Sequence, residues 1–287
     1  MRVSSAFGMV ALCLIVAGCE TQKQYASLAD LGSAYASALD RVLVLAGTAS
    51  VDATSERLLQ DRDIAPQTAA SYQKLSDIDV KRLALIDDLR KHVQFLGAYF
   101  GLLKQLAASD APAQSGKTLE GTASSVTMLG KRLRKNDLAL GTDVFTTLSK
   151  IAVSGAVHGA LKTELTLRGD TIRTELNTEE VLLAALSGDI EHAMATTREI
   201  REARSVIGPF IAAEPIKNYD EWIASRKAVL NMNSPAVELA AASTALGKLR
   251  ETFEELMGGK LDDDQIRALE GDFQTMTAVA DTVKKCP

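Results

Sequence analysis

The 287-residue sequence lacks the patterns that predict β-strands and catalysis. Apolar and polar residues do not alternate with a period of two over any useful length, which argues against a β-sheet protein. The chain has no G-x-S-x-G nucleophile elbow, and no serine can be matched with a credible base. Its paired carboxylates are adjacent in sequence, so they diverge on a helix instead of facing each other as acid and base. We therefore expect no enzymatic activity.

A metal centre also has no support in the sequence. His92, His158 and His192 are far apart, and none has a second ligand type three or four residues away. Zinc needs three or four convergent ligands, so we expect each histidine to be a surface or boundary residue unless distant helices converge. The run Asp262–Asp264 lacks the alternating oxygens and central glycine of a calcium loop, and it suits a helix cap better. We expect no cofactor.

One segment imitates a nucleotide site. Ala111–Thr118 reads A-P-A-Q-S-G-K-T, which matches a phosphate-binding P-loop except that Ala111 replaces the first glycine. Such a loop cradles phosphate only where it leaves a buried strand and opens a helix. A long helical pattern precedes it here and no apolar strand follows. We interpret the match as chance and predict no nucleotide.

What the chain does contain is helical periodicity. The spacing predicts a first helix over Thr21–Asp61 and a second over Pro66–Ser109, each with apolar residues alternately three and four apart. The predicted seams are Leu28, Leu31, Tyr35, Ala38, Val42, Leu45 and Ala49, then Ile86, Leu89, Val93, Leu96, Phe100, Leu103 and Ala107. Such seams favour knobs-into-holes packing in an antiparallel hairpin about 60 Å long. Its turn would lay residue 45 beside residue 82.

Further helices complete an all-α fold, an elongated antiparallel helical bundle with coiled-coil-like long hairpins. We predict them over Thr118–Asn136, Asp143–Glu175, Thr178–Ile207, Asp220–Leu230, Pro235–Met257 and Asp262–Lys284. Thr178 and Asp262 are the expected amino-terminal caps, and Gly258 with Gly259 suits a helix end. The last two helices carry seams of Leu239, Ala242, Leu246, Leu249, Phe253 and Leu256, then Ile266, Leu269, Phe273, Met276, Ala280 and Val283.

The amino terminus carries the most specific motif. Arg2 is followed by an apolar run from Ala6 to Ala17, and residues 14–19 read Leu-Ile-Val-Ala-Gly-Cys. This segment resembles the signal peptide and lipobox of bacterial lipoproteins. The resemblance implies cleavage before Cys19, diacylglycerol on its sulfur and acylation of the new amino terminus. Twelve apolar residues are too few to span a bilayer, so lipid would supply the anchor.

That resemblance sets the expected domains and location. Residues 1–18 would be the signal peptide and residues 19–287 a single helical-bundle domain, with Gly208–Asn218 as the best place for a subdivision. Cys13 would leave with the leader and Cys19 would carry lipid, so Cys286 would have no internal disulfide partner. Residue 20 is glutamate, whereas aspartate at this position commonly retains lipoproteins in the inner membrane. We therefore favour the outer membrane.

Charge narrows the choice of partner. Loss of Arg2 with the leader changes the net charge from −5 to −6, which argues against a nucleic-acid partner and a basic membrane-hugging surface.

Two segments are candidates for binding. Ile151–Leu161 is rich in small residues and uncharged, which favours close helix packing, with a pocket lining as the alternative. Tyr219 and Trp222, with Arg226 on the next turn, would suit an interaction patch if exposed, with burial in the core as the alternative.

Together these features predict a lipid-anchored, periplasm-facing envelope lipoprotein that acts as a non-catalytic helical interaction or scaffolding protein with an unidentified envelope protein partner. The alternative is a receptor or sensor-like bundle that binds a small ligand between helices near Ile151–Leu161.

Overall fold

The computed structural model describes residues 7–108, 113–135, 148–154, 159–232, 235–259, 264–272 and 274. The fold is all-α, and no strand occurs within these ranges. The helices are α1 (Phe7–Ile64), α2 (Ala69–Ala108), α3 (Ala113–Arg134), α4 (Gly159–Glu202), α5 (Gly208–Ile211), α6 (Tyr219–Leu230) and α7 (Ala236–Gly258). A π-helical segment, Ala203–Ile207, joins α4 to α5. Residues 264–272 are also helical.

The α1–α2 hairpin is confirmed, and its seams are buried in the core, apart from Leu45, which is half-buried. Two glycines bring the helices close together. A Cβ atom added to Gly32 would lie 2.6 Å from the ring of Phe100, and one added to Gly97 would lie 2.7 Å from Cβ of Ala36. The missing side chains therefore let each backbone approach the side chains of the other helix.

The register of this hairpin differs from the prediction. Ser50 accepts a hydrogen bond from Arg82 at 3.0 Å, so residue 50 lies opposite residue 82, where residue 45 was expected. The reason is the turn, because α1 continues to Ile64 and α2 begins only at Ala69. Thr68 caps α2 by accepting from the backbone N–H of Ser71 at 3.1 Å.

The predicted break at Thr178 is wrong, because α4 is a single helix of 44 residues. The hydroxyl of Thr178 donates to the carbonyl of Thr174 one turn earlier, at 2.9 Å, so it does not cap a helix start. Neither glycine nor proline stands near this position, and packing on both sides keeps the helix continuous.

The predicted helix over Asp143–Glu175 is wrong over residues 148–154. Residues 148–154 have no helical structure, and α4 begins at Gly159 with a left-handed φ of 62°. The backbone N–H of Ser154 donates to the carbonyl of Met257 at 2.8 Å, and that of Ile151 donates to Asp170 at 3.2 Å. Partners on α7 and α4 thus replace the hydrogen bonds of a helix.

Two tyrosines tie α7 across α1. The hydroxyls of Tyr25 and Tyr35 donate to the carbonyls of Leu256 and Ala242, each at 3.2 Å. The order of these contacts makes α7 antiparallel to α1. The hydroxyl of Ser187 in α4 donates to the carbonyl of Ala236 at 2.7 Å, and that of Ser243 in α7 donates to the carbonyl of Glu180 at 2.9 Å. Helix α4 is therefore antiparallel to α7 and parallel to α1. The core therefore lies between α1, α2, α4 and α7, with α3 closing one side.

The end of α7 matches the expectation, since Gly259 adopts a left-handed φ of 68°. The seam of α7 is buried throughout, as are Ile266 and Leu269 of the following helix. The rest of that helix's seam and the cap at Asp262 lie outside the described residues. No helix among those described is long and apolar enough to cross a membrane.

Candidate functional site

A second buried stripe of α2, which shares Leu89, Leu96 and Leu103 with the seam toward α1, contains a histidine. Its buried members recur at spacings of four and three: Leu85, Leu89, His92, Leu96, Tyr99, Leu103 and Leu106. His92 has an exposed fraction of 0%. The prediction that it is a surface or boundary residue is therefore wrong, because its heptad position turns it into the core.

Helix α4 supplies two carboxylates to the same place. Glu175 and Glu179 are four residues apart, so they lie on one face of α4, and both are buried. Nε2 of His92 lies 3.4 Å from Oε2 of Glu175, and Nδ1 lies 3.8 Å from Oε1 of Glu179. The imidazole thus stands between the two carboxylates, at ion-pair distances but without hydrogen-bond alignment.

Helix α3 completes this group through Arg134. The guanidinium binds Glu175 with two hydrogen bonds, Nη1 to Oε2 at 2.8 Å and Nη2 to Oε1 at 3.1 Å. Nη1 also donates to the hydroxyl of Thr178 at 2.6 Å. A two-pronged arginine–carboxylate contact is strong and fixes geometry. We call His92, Arg134, Glu175 and Glu179 the buried ionic cluster.

A glycine makes room for the cluster one turn before Arg134. A Cβ atom added to Gly130 would lie 1.7 Å from Oε2 of Glu175. No side chain can occupy that position unless Glu175 moves. Gly130 and Arg134 therefore share one face of α3, where the first admits the carboxylate and the second binds it.

Burial and the neighbouring charges shift the pKa values of His92 and Glu179. Burial alone would lower the pKa of His92, but the contacts with Glu175 and Glu179 outweigh it and raise that pKa to about 9. Burial raises the pKa of Glu179, which Glu175 reinforces and His92 opposes. Both ring nitrogens of His92 and both carboxylate oxygens of Glu179 are buried without a hydrogen-bond partner. The cluster is thus tightly closed but incompletely satisfied.

The cluster does not form a metal site. Each imidazole nitrogen faces a different carboxylate, so no single point lies within bonding distance of three ligand atoms. No group of three or more His, Cys, Asp or Glu side chains in the described parts of the chain could hold a metal ion. His192 is exposed on α4, whereas His158 lies outside the described residues.

A second ionic contact joins α2 to α4 nearby. The hydroxyl of Tyr99, two turns along α2 from His92, donates to Oε1 of Glu164 at 2.9 Å. Arg168 binds the other oxygen of the same carboxylate. Burial and the charge of Glu164 raise the pKa of Tyr99 well above its ordinary value, so the phenol stays protonated and remains a donor.

The second candidate region is a knee at the far end of α4. Pro209 lacks an N–H group, so the regular α-helical hydrogen bonding is interrupted there. The π-helical turn precedes it, in which the N–H of Gly208 donates to the carbonyl of Ala203. The helix was predicted to end at Ile207, but α5 continues to Ile211. Nε1 of Trp222 on α6 then donates to the carbonyl of Val206 at 2.9 Å.

The knee exposes large apolar side chains. The ring of Phe210 stacks on Trp222 with centroids 5.9 Å apart, yet Phe210 itself is 67% exposed. We define the knee surface by its exposed members: Ile207, Phe210, Ile211, Tyr219 and Ile223. An open cavity of about 430 Å³ beside it is lined by Pro209, Pro215, Ile216 and Trp222 among others.

The structure brings two of the predicted interaction residues to this region. Tyr219 and Trp222 lie in the first turn of α6, which Asn218 caps by accepting from the N–H of Glu221 at 3.1 Å. Tyr219 is 67% exposed, Trp222 is half-buried, and Arg226 is exposed one turn further on.

The knee is fixed to α1 by charge. Glu56 is buried; its Oε1 accepts a hydrogen bond from Arg201 at 2.7 Å, and its Oε2 forms an ion pair with Arg204, also at 2.7 Å. Burial would raise the pKa of Glu56, but the two guanidinium groups outweigh it and lower that pKa. Arg204 belongs to the π-helical turn, so this contact sets the position of the knee along α1.

Two other segments singled out in the sequence, Ile151–Leu161 and Ala111–Thr118, lie elsewhere in the fold. In Ile151–Leu161, Ile151 and Val153 pack against the core, and residues 155–158 lie outside the description. Neither the cavity at the knee nor a second open one of about 410 Å³, between α1 and α2, is lined by this segment. The backbone of Gly116–Thr118 is already part of α3, so the chain there is not a loop that could cradle phosphate.

Cys19 falls within α1, but its side chain is outside the described set, as is all of Cys286.

Sequence reasoning missed the buried ionic cluster although a signal was present. On one continuous α4, Glu164, Glu175 and Glu179 fall on the apolar stripe that also contains Leu165, Ile172 and Leu183. The mistaken break at Thr178 separated the residues on either side of it and hid their common register. Charges at core positions of a heptad pattern would have indicated the cluster.

No protein-family model, curated protein or solved structure matches this chain.

Proposed function

We propose that the protein is a lipid-anchored, periplasm-facing lipoprotein of the cell envelope, more specifically of the outer membrane, and that it acts as a non-catalytic interaction or scaffolding protein. The lipobox-like segment ending at Cys19 supports the anchor. The packed helical core supports the scaffold, because its ionisable groups are closed off from substrate instead of lining a cleft.

The observation that carries the interaction role is the knee surface. Five large apolar side chains are exposed together at one junction, which is typical of a protein-binding surface. Arg201 places this junction level with Glu56, 37 residues along α1 from Cys19. At 1.5 Å per residue the knee lies about 55 Å from the anchor, where it is accessible to a partner in the periplasm.

The receptor alternative has less support. A small-ligand site near Ile151–Leu161 would need a cavity with convergent polar groups. Ile151 and Val153 instead fill space against the core, and the backbone N–H groups of Ile151 and Ser154 are engaged by Asp170 and Met257.

The anchor is tested by metabolic labelling with a fatty acid. Wild-type protein should incorporate the label, and Cys19→Ser should lose it and retain its leader. Cys286→Ser is the matched control, because it removes the other cysteine of the expected mature chain. Label that persists in Cys19→Ser, or disappears in Cys286→Ser, contradicts the assignment.

The interaction surface is tested separately by placing a photo-crosslinking amino acid at Ile211 in living cells. Leu167 on α4 is the control position, because it is similarly exposed, 66% against 73%, but lies on the part of α4 that packs beside Met257. We expect a discrete protein adduct at Ile211 and none at Leu167. Equal adducts at both positions, or none at Ile211, would remove the knee surface from the proposal.

A further inference from the structure

The buried ionic cluster has a definite charge requirement. Arg134 and Glu175 form a neutral pair through two hydrogen bonds, which leaves His92 and Glu179 facing each other at 3.8 Å. If these two groups hold one proton between them, the cluster is neutral whether the proton is on the imidazole or on the carboxyl. With no proton the cluster has one uncompensated negative charge, and with two protons it has one uncompensated positive charge.

No neighbouring group changes this count. On α4 and α7, Glu180 is paired with Arg250 at 3.0 Å. On α2 and α3, Asp88 is paired with Arg132. The phenol of Tyr35 on α1 is held protonated, because burial first and then Glu179 and Glu180 raise its pKa.

The remaining charged neighbours on α2 and α4 also have partners of opposite charge or hydrogen-bond partners outside the cluster. Glu164 is engaged by the hydroxyl of Tyr99 and by Arg168. Arg173 lies 3.7 Å from Glu254 of α7 and also binds the carbonyl of Ser149. The charge of the cluster therefore depends on the proton that His92 and Glu179 share.

We propose that the buried ionic cluster is a proton lock, in which one proton shared by His92 and Glu179 keeps α4 closed on α2, and loss of that proton opens this interface while the α1–α2 hairpin stays packed. The four cluster side chains come from α2, α3 and α4, so an uncompensated charge at their centre acts on all three helices. The α1–α2 seam contains no such group, so it has no reason to respond.

The direction of the pH response follows from the raised pKa values. The folded-state pKa of His92 is raised from 6.5 to about 9, so its contribution to stability is fully present below pH 6.5 and is lost as the pH rises through about 9. The pKa of Glu179 is also raised, which places its own loss in the same rising direction. The lock therefore opens in alkaline medium.

The decisive experiment measures the folding equilibrium constant of the full chain by urea unfolding between pH 7 and pH 9. One extra proton on the folded state predicts a fall of about tenfold per pH unit. Glu179→Gln removes the shared site and leaves His92 with Glu175 alone, whose charge Arg134 compensates, so the slope should become clearly shallower. The matched control is Glu180→Gln, which makes the same charge change one residue away, and it should keep the slope.

A measurement on the wild-type chain keeps the proposal testable if Glu179→Gln does not fold. Hydrogen exchange at pH 7 and pH 9, corrected for the intrinsic base-catalysed rate, should show protection lost at α4 around residues 172–183 and retained at the α1–α2 seam. A wild-type slope near zero, a slope unchanged in Glu179→Gln, or equal loss of protection in both regions would each overturn the proton lock.

Discussion

The two faces of α2 use opposite means to pack against their neighbours. Toward α1, α2 buries an apolar seam with polar contacts such as Arg90–Asp40 beside it, and at Gly32 and Gly97 side chains meet bare backbone. The face toward α4 interrupts its apolar stripe with His92 and Tyr99, which meet carboxylates of α4. One helix thus combines a seam held by shape with an interface held by charge.

The difference teaches which part of the molecule is specific. Apolar seams of similar heptads can slide by a turn with little penalty. A buried ionic group permits only one register, because any shift strands its charges away from partners. We infer that the α2–α4 interface fixes the arrangement of the bundle, whereas the α1–α2 seam contributes apolar burial.

The largest expected effect lies in the apolar seam. Leu96→Asp places an unpaired carboxylate in the core and should lower the free energy of unfolding by about 3–5 kcal/mol. Urea unfolding measures this loss. Val80→Asp, on an exposed part of α2, should change it by less than about 0.5 kcal/mol. An unchanged stability in Leu96→Asp would remove this residue from the seam.

A somewhat smaller loss is expected when the charged interface loses one partner. Arg134→Met leaves Glu175 buried without its arginine and should cost about 3 kcal/mol of unfolding free energy. The control is Arg132→Met two residues earlier in α3, whose ion pair with Asp88 is exposed on the arginine side and contributes at most about 1 kcal/mol. Chemical denaturation of both variants makes the comparison, and equal losses would show that the cluster is open to water.

Exchanging the whole pair sharpens the contrast between the two faces. If Arg134 and Glu175 are both replaced by methionine, both charges of this pair disappear together. The double variant should then recover most of the stability that Arg134→Met loses. Recovery with a changed pattern of amide exchange in α4 would assign the pair a role in register. Failure to recover would mean that the pair contributes net stability.

The next prediction compares two glycines of α3 that differ in what they face. Gly130→Ala drives a methyl group into the carboxylate of Glu175 and should lower the unfolding free energy by about 2 kcal/mol. At Gly121 an added Cβ meets nothing within 4 Å, so Gly121→Ala should raise it by about 0.5–1 kcal/mol. Thermal melts of the two variants should therefore shift in opposite directions. A shift of the same sign would contradict the close approach of α3 to α4.

The sequence predicts the apolar face of α2 well and the ionic face poorly, for a physical reason. Apolar periodicity is a local property of one helix, so the seams of α1, α2 and α7 could be recognised without a partner. The buried ionic cluster depends on three helices that converge, and a histidine or glutamate is ordinarily a surface residue. The helix prediction over residues 148–154 was wrong for a different reason, because the backbone there donates hydrogen bonds to Asp170 of α4 and Met257 of α7.

The knee is a third case, in which the sequence shows that the helix is interrupted but not which structure results. Pro209 indicates an interruption of the helix, and the structure contains a π-helical turn there followed by one more turn of α-helix. Nothing local reveals that Trp222, sixteen residues after Val206, donates to the carbonyl of that turn. The exposed Tyr219 and half-buried Trp222 could be named as candidates, but not the stack with Phe210.

The smallest predicted effect tests how much the hydrogen bond from Trp222 to Val206 adds to the knee, which Glu56 already ties to α1. Trp222→Phe keeps an aromatic ring against Phe210 but removes the donor to Val206, and it should lower the unfolding free energy by about 1 kcal/mol or less. Tyr219→Phe, which alters an exposed hydroxyl on the same turn, should have no measurable effect. Because the bond is local, hydrogen exchange should quicken at residues 203–211 in Trp222→Phe and remain unchanged in α2. Faster exchange along α2 in the same variant would instead mean that the knee and the core unfold together. The packing of α2 would then depend on the Trp222–Val206 hydrogen bond, although α2 takes no part in it.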